Sequence, residues 1–404
     1  MPELRQNFMT KEWVVIATER AKRPDQMAVH RQAKPAVSFS EKCPFCPGHE
    51  DQTPPEILRL HDGAGWKVRV VPNKFAALSP DLEPERSIRR TLRSMKGFGV
   101  HDVIVETTDH SLALAQMPDS HVADILRVYK TRYDEISLDP RIAQVTIFKN
   151  HGPDAGTSLE HPHSQMIATP VISYQVRQRF HEALRHFDDF GCCMFCQVID
   201  EEMNEQKRIV LTSEHFVAME LFASAAPFST HIYPRRHMAS FGDISAAEIA
   251  DLGRVLRTVL AKLYYGLDNP DFNFTIRTAP AECVGVRYFH WYMSVIPRLT
   301  RTAGFELGSG MFINTVIPEE AAEFLRKVQV ETAVGGASFT TKHLPRRHGG
   351  TEEKPRHAKT PVTQNPGHAK KPLCRSERSE ESALGMQRGS CRQTADSSRL
   401  RRSE

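Results

Sequence analysis

His161-Pro-His163-Ser-Gln-Met-Ile-Ala168 and Phe289-His290-Trp291-Tyr292-Met-Ser-Val-Ile296 are two readings of one unit, and the fold follows from what surrounds them. Before the first lie a Cys-x-x-Cys (Cys43, Cys46), an alternating run HDVIVETTDH ending at His110, a helical segment VADILRVYKTRYDEI and a strand QVTIFK. Before the second lie Cys193 and Cys196, THIYPRRH ending at His237, a helix and a strand FNFTIR. The distances agree, with 51 residues from His110 to His161 and 53 from His237 to His290. Ser120 is the expected N-cap of the first helix, and Ser245 with Glu248 forms a capping box for the second. A duplicated unit that mixes period-2 strands with a helix predicts an α+β fold of two similar units with antiparallel sheets.

The 404 residues allow two or three domains at roughly 100 to 200 residues each. The repeat divides them into residues 1–172, 173–336 and a tail, 337–404, rich in Ser, Arg, His, Gly and Pro. With Phe339 as its single aromatic the tail buries too little apolar surface to offset its ordering entropy, so it is expected to be disordered. The net charge of +4 is misleading. Ser338 to Glu404 hold 15 Lys/Arg and 7 Asp/Glu, leaving residues 1–337 at −4. The body therefore lacks the clustered basic face that nucleic-acid binding needs. No stretch approaches the roughly 18 apolar residues of a membrane span, and the N-terminus MPELRQNFMTKEW has no apolar signal core. A cytoplasmic protein without membrane or nucleic-acid partners is expected.

Eight cysteines in such a chain point to metal or redox work rather than structural disulfides. One Cys-x-x-Cys alone is as readily a redox pair or two buried thiols. Two copies, each followed by histidines at matching spacing, favour zinc, which takes Cys and His in tetrahedral sets. The expected sets are Cys43, Cys46, His110 and His161, and Cys193, Cys196, His237 and His290. Cys192 and His231 are alternative ligands at the second. Two closed four-ligand sites imply two structural zinc ions per chain.

The segment Asn150-HGPDAGTSLE-His161-Pro-His163-Ser-Gln165 carries the chemistry. Two residues apart on a strand, His161 and His163 share a face. One can hold metal while the other meets a substrate. A neutral imidazole is a competent nucleophile toward phosphorus, so His163 is read as a covalent catalyst. Gly152 and Gly156 permit close backbone approach of a phosphate, while Thr157, Ser158 and Gln165 can donate hydrogen bonds to it. His49, His101, His151 and His231 are read as structural histidines, and Cys283 as a buried small side chain.

Through CPFC, VPNKFAAL, the DHS at His110, NHGPDAGTSLEHPHSQ, HWYMSVIPRL and AGFELGSGMFIN, residues 5–330 resemble the galactose-1-phosphate uridylyltransferase family of the histidine-triad superfamily. The resemblance implies a pair of histidine-triad-like domains, a homodimer, and ping-pong transfer of UMP from UDP-glucose to a hexose 1-phosphate such as galactose 1-phosphate through uridylyl-His163. It implies catalytic support from Gln165 and Ser158. It also implies nucleotide or phosphate contacts from Asn73, Asn150, Gly156, Ser158 and Gln165, with Arg20 and Arg23 of TERAKRP approaching a phosphate across the dimer.

In the second unit Tyr292 stands where His163 does, so one catalytic half per chain is expected. Many relatives read HWHxE there, whereas HWYMS looks more like the plant adenylyltransferase-type branch that phosphorolyses ADP-glucose. Two alternatives to the uridylyltransferase follow: an ADP-glucose phosphorylase-like adenylyltransferase, and a non-enzymatic zinc-stabilised binding protein.

Overall fold

A computed structural model describes residues 2–17, 37–63 and 65–330. Arg20, Arg23 and the tail from residue 337 lie outside the described residues. The chain begins with strands β1 (Glu3–Gln6) and β2 (Trp13–Ile16), then β3 (Leu58–Asp62), β4 (Gly65–Pro72), the hairpin β5 (Arg86–Arg89) and β6 (Leu92–Met95), and β7 (Val100–Val105). Helix α1 (Asp119–Ser137), β8 (Gln144–His151) and β9 (His163–Thr169) follow. The second half holds α2 (Tyr174–Phe190), α3 (Met194–Glu205), β10 (Ile209–Thr212), β11 (Phe216–Glu220), β12 (Thr230–Pro234), α4 (Ala246–Gly266), β13 (Phe272–Arg277) and β14 (Tyr292–Pro297). It closes with α5 (Gly304–Ser309), β15 (Phe312–Asn314) and α6 (Pro318–Lys327).

Ten strands form one antiparallel sheet in the order β10-β11-β12-β14-β13-β8-β9-β7-β4-β3. The order reads the same from both ends in terms of the repeat. β8 and β13 are equivalent strands that pair with each other at the centre, Asn150 opposite Asn273. The fold is thus α+β with antiparallel strands, and the two repeats share a continuous sheet.

Alternation sorts each strand onto two faces. Ile104, Ile147, Met166, Ala168, Phe274, Ile276, Met293 and Val295 point to the face covered by α1 and α4, where the main core lies. Val103 and Val105 point the other way and pack with Phe45 and Trp66. His163, Gln165, Asn150 and Tyr292 share that second face by the same parity.

Helix α4 starts with the expected capping box, Glu248 N donating to Ser245 Oγ and Ser245 N to Glu248 Oε2. Helix α1 does not start as expected. Its N-cap is Pro118, and Ser120 sits within the first turn; proline's fixed φ and the missing need for its N–H allow entry without a side-chain cap. The two helices touch closely, and a Cβ at Gly253 would lie 2.8 Å from Ala123 N.

Candidate active site and metal centres

Each Cys-x-x-Cys meets its two histidines. Cys43, Cys46, His110 and His161 bring one ligand atom apiece within 4.8 Å of one another, and so do Cys193, Cys196, His237 and His290. His110 and His237 follow the ends of β7 and β12, and His161 precedes β9, which begins at His163 rather than at His161. The first pair of histidines therefore comes from loops at one end of the sheet and the second pair from loops at the opposite end, because β8 and β13 pair antiparallel, and Cys193 and Cys196 sit at the start of α3.

The donor geometry fits zinc. Zn–S of about 2.3 Å and Zn–N of about 2.0 Å at a tetrahedral angle place sulfur and nitrogen about 3.5 Å apart. Cys43 Sγ and Cys46 Sγ each lie 3.6 Å from His161 Nδ1, and Cys46 Sγ lies 3.4 Å from His110 Nδ1. In the second cluster Cys196 Sγ is 3.4 Å from His237 Nδ1 and 3.6 Å from His290 Nδ1. Carbonyl oxygens accept from the far ring nitrogens: Thr107 O from His161 Nε2 at 2.8 Å, Pro234 O from His290 Nε2 at 2.9 Å and Val286 O from His237 Nε2 at 3.2 Å. Each bond fixes the tautomer that turns an Nδ1 lone pair into the cluster, as outer-sphere partners of metal-bound histidines do. Both clusters could hold a metal ion. His231 is not among the converging ligands: it lies on β12, opposite Ser294 of β14. Nor is Cys192.

His163 stands next to the first cluster. Its ring and that of His161 both approach Phe45, with centroids 5.5 and 6.1 Å away. His163 Nδ1 lies 2.8 Å from His161 O, to which it donates. The remaining lone pair is then on Nε2. Burial pushes the pKa of His163 down, and it takes His161 down to about 4. A neutral imidazole follows in both, one suited to ligation and one to nucleophilic attack.

The loop before His163 curves through two left-handed glycines, Gly152 at φ 82° and Gly156 at φ 87°. At Gly152 the reason is steric as well. An added Cβ would fall 1.8 Å from Asp271 Oδ1, whose carboxylate accepts from Asp154 N at 2.6 Å. Asn150 is oriented across the repeat boundary, its Oδ1 accepting from Asn273 Nδ2 at 2.7 Å; this aims its own amide N–H groups elsewhere. Ser158 is exposed at the end of the loop.

His101, read above as structural, joins two of the expected contact residues. Its Nδ1 accepts from Ala77 N at 3.2 Å, so Nε2 carries the proton and donates to Gln165 Oε1 at 2.8 Å, with Asn73 Nδ2 3.1 Å away. The signal was its place on β7 at the parity of Val103 and Val105, which becomes informative only with the β7–β9 register.

Beneath His163, on the helix-covered face, lies a buried polar network. Lys149 Nζ donates to Glu106 Oε2 at 2.6 Å and to His163 O at 3.0 Å. The Tyr129 hydroxyl bridges Glu106 Oε1 at 3.1 Å and Ser164 Oγ at 2.6 Å. Lys149 and Glu106 are 2% and 0% exposed, so the backbone of the His163 strand end is fixed from below by a satisfied ion pair. A cavity of about 580 Å³ lies elsewhere, against Phe8 and Phe222; its Arg208 is already paired with Glu202 and Glu319.

Among known proteins, residues 1–173 match the model of the galactose-1-phosphate uridyl transferase N-terminal domain, and residues 97–333 that of a domain of unknown function. An ADP-glucose phosphorylase of Arabidopsis thaliana is 35% identical over 81% of this chain and 93% of its own. A galactose-1-phosphate uridylyltransferase of Thermotoga maritima is 30% identical over 82% of this chain and 100% of its own. A crystal structure of the Arabidopsis phosphorylase with bound ADP-glucose superposes at a TM-score of 0.71, covering 82% of this chain and 100% of that one at 34% identity. A uridylyltransferase structure does so at 0.63, covering 81% and 98% at 26% identity. The duplicated sheet, the paired Cys/His clusters and these likenesses over most of the chain together make it a member of the galactose-1-phosphate uridylyltransferase family.

Proposed function

We propose that this chain is a nucleotidyltransferase that carries a nucleoside monophosphate from a nucleotide sugar to a phosphate acceptor on His163 Nε2. In the first step Nε2 attacks the α-phosphorus, the P–O bond to the sugar phosphate breaks, and sugar 1-phosphate leaves. In the second a phosphate oxygen of the acceptor attacks the same phosphorus and the N–P bond breaks, returning the neutral imidazole. The observation that carries this reading is the His163 Nδ1–H bond to the His161 carbonyl, which leaves a buried, unprotonated Nε2 beside the glycine loop. Gly156 and Ser158 line the phosphate path, Gln165 and Asn150 donate toward the transferred group, and Asn73 completes the nucleotide side. Zinc in the two Cys/His clusters is structural, since four protein ligands leave no open position. The active unit is a homodimer.

The donor is ADP-glucose and the acceptor orthophosphate. The greater likeness to the Arabidopsis phosphorylase in both sequence and structure supports this, as does Tyr292 in the HWYMS motif. The second reading, transfer of UMP from UDP-glucose to galactose 1-phosphate, rests on the match to the uridyl transferase domain and on the Thermotoga relative. Incubation with each nucleotide sugar labelled in the α-phosphate separates them. Label on the wild-type protein from ADP-glucose alone is expected. Label from UDP-glucose alone reverses the assignment, and label retained by His163→Asn removes the covalent mechanism.

A further inference from the structure

The second half holds two half-buried guanidiniums, Arg179 and Arg277, with no ion-pair partner among the described residues. Arg277 ends β13 directly opposite Tyr292 on β14, so both side chains leave the same face of the sheet. That face also carries His231 and Tyr233 of β12. Tyr292 stacks against both, its ring centroid 5.4 Å from His231 at an interplanar angle of 14° and 5.1 Å from Tyr233 at 29°. Helix α2 covers this face, anchored by Phe180 against Phe289 with centroids 4.7 Å apart, and brings Arg179 over it.

Among the described residues neither arginine makes an ion pair. Arg179 spends Nη1 on Gln175 O at 3.1 Å, while its Nε is buried without a partner. Arg277 makes no hydrogen bond to another described residue, and neither does the Tyr292 hydroxyl. His231 uses only Nδ1, 3.2 Å from the Tyr233 hydroxyl. Both positive charges act on the same spot. Burial, then Arg277 and Arg179, hold His231 down to about 3, and Arg179 adds to the burial that lowers Arg277.

Two half-buried cations against an aromatic wall, repelling one another and without an ion-pair partner among the described residues, are stabilised when an anion joins them. Guanidinium forks match the oxygens of a tetrahedral oxyanion, and a phenol hydroxyl and an imidazole nitrogen supply further contacts. The position within the repeat is that of the nucleophile, with Tyr292 in place of His163, so a phosphate could be held there without a group being transferred.

We propose that Arg179, Arg277, His231 and Tyr292 form a second, non-catalytic phosphate site that takes orthophosphate or the phosphate of a phosphomonoester. This does not depend on the assignment of His163. The test is calorimetric titration of the full-length, zinc-loaded protein with inorganic phosphate, in parallel on wild type, His163→Asn, Arg277→Met and Arg179→Met. Binding that survives His163→Asn and weakens at least tenfold in both arginine variants is expected. Equal phosphate affinity in wild type and both arginine variants overturns the site, as does its loss in His163→Asn alone.

Thermal unfolding guards against a folding defect. In phosphate-free buffer Arg277→Met should melt at or above the wild-type temperature, because it removes an uncompensated charge, and its midpoint should rise less with added phosphate than that of the wild type. A lower midpoint with the phosphate response intact would mark Arg277 as a structural residue and overturn the proposal. Competition by glucose 1-phosphate, with glucose as the neutral control, assigns the site to a phosphomonoester. Its absence, with phosphate still bound, assigns it to orthophosphate.

Discussion

Lys149 Nζ donates to the backbone oxygen of His163 at 3.0 Å from the opposite face of the sheet. The lysine touches no reacting atom in the proposed chemistry. It acts through the strand, and its charge is balanced by Glu106 at 2.6 Å. Removing one partner of a buried pair leaves the other charge uncompensated, at about 3–5 kcal/mol. Lys149→Met should therefore destabilise the protein by about that much in chemical denaturation, and Lys149→Met with Glu106→Gln by clearly less. A double variant as unstable as the single one would mean that the pair is not the unit.

Two zinc ions per chain are expected by elemental analysis. Cys43→Ser and Cys193→Ser should each lose one, because a tetrahedral set of three ligands plus a weaker hydroxyl holds zinc poorly. Since binding energy of a structural zinc is folding energy, both variants should also unfold at lower temperature. Retention of both ions after either change would contradict the sets described.

Gly152→Ala adds a carbon where Asp271 Oδ1 already lies, at a positive φ. The glycine loop must shift by an ångström or more. Misplacement on that scale costs on the order of 10²-fold in rate. The expected result is a loss of nucleotidyl transfer of about that size with both zinc ions still bound, measured by exchange of labelled sugar 1-phosphate into the nucleotide sugar. Unchanged exchange would show that the loop does not shape the reaction.

Glu220 offers a pH test remote from the site. It is fully buried on β11, accepts from Thr230 Oγ1 at 2.9 Å, and burial raises its pKa to about 8. The unfolded chain releases this proton near the ordinary glutamate value of about 4.3. A raised folded pKa gives stability that is complete below the unfolded value and is lost as pH rises through the folded one. Glu220→Gln should flatten the fall in stability between about pH 5 and pH 9, by on the order of a few kcal/mol, with the larger gain at the alkaline end. An unchanged slope in urea unfolding across that range would remove Glu220 as its source.

Much of the architecture was legible because it is written in local chemistry. Cys-x-x-Cys turns, histidines at matched distances, the Ser245–Glu248 box and the glycine loop before His163 are short-range patterns, and each constrains its neighbours directly. Short-range reading also failed where a neighbour offered a competing start, as Pro118 did for Ser120 in α1.

By itself, then, the sequence determined the duplicated α+β unit, the family, and which histidines and cysteines could meet a metal. Only the tertiary structure decided the rest: that β8 and β13 join the repeats into one sheet, that His101 links Asn73 to Gln165, that Lys149 and Glu106 lie under His163, and that Arg179 comes to Arg277. These relations join residues that are far apart in the chain. They depend on strand register and on which charges end up buried together, and no spacing along the chain encodes either.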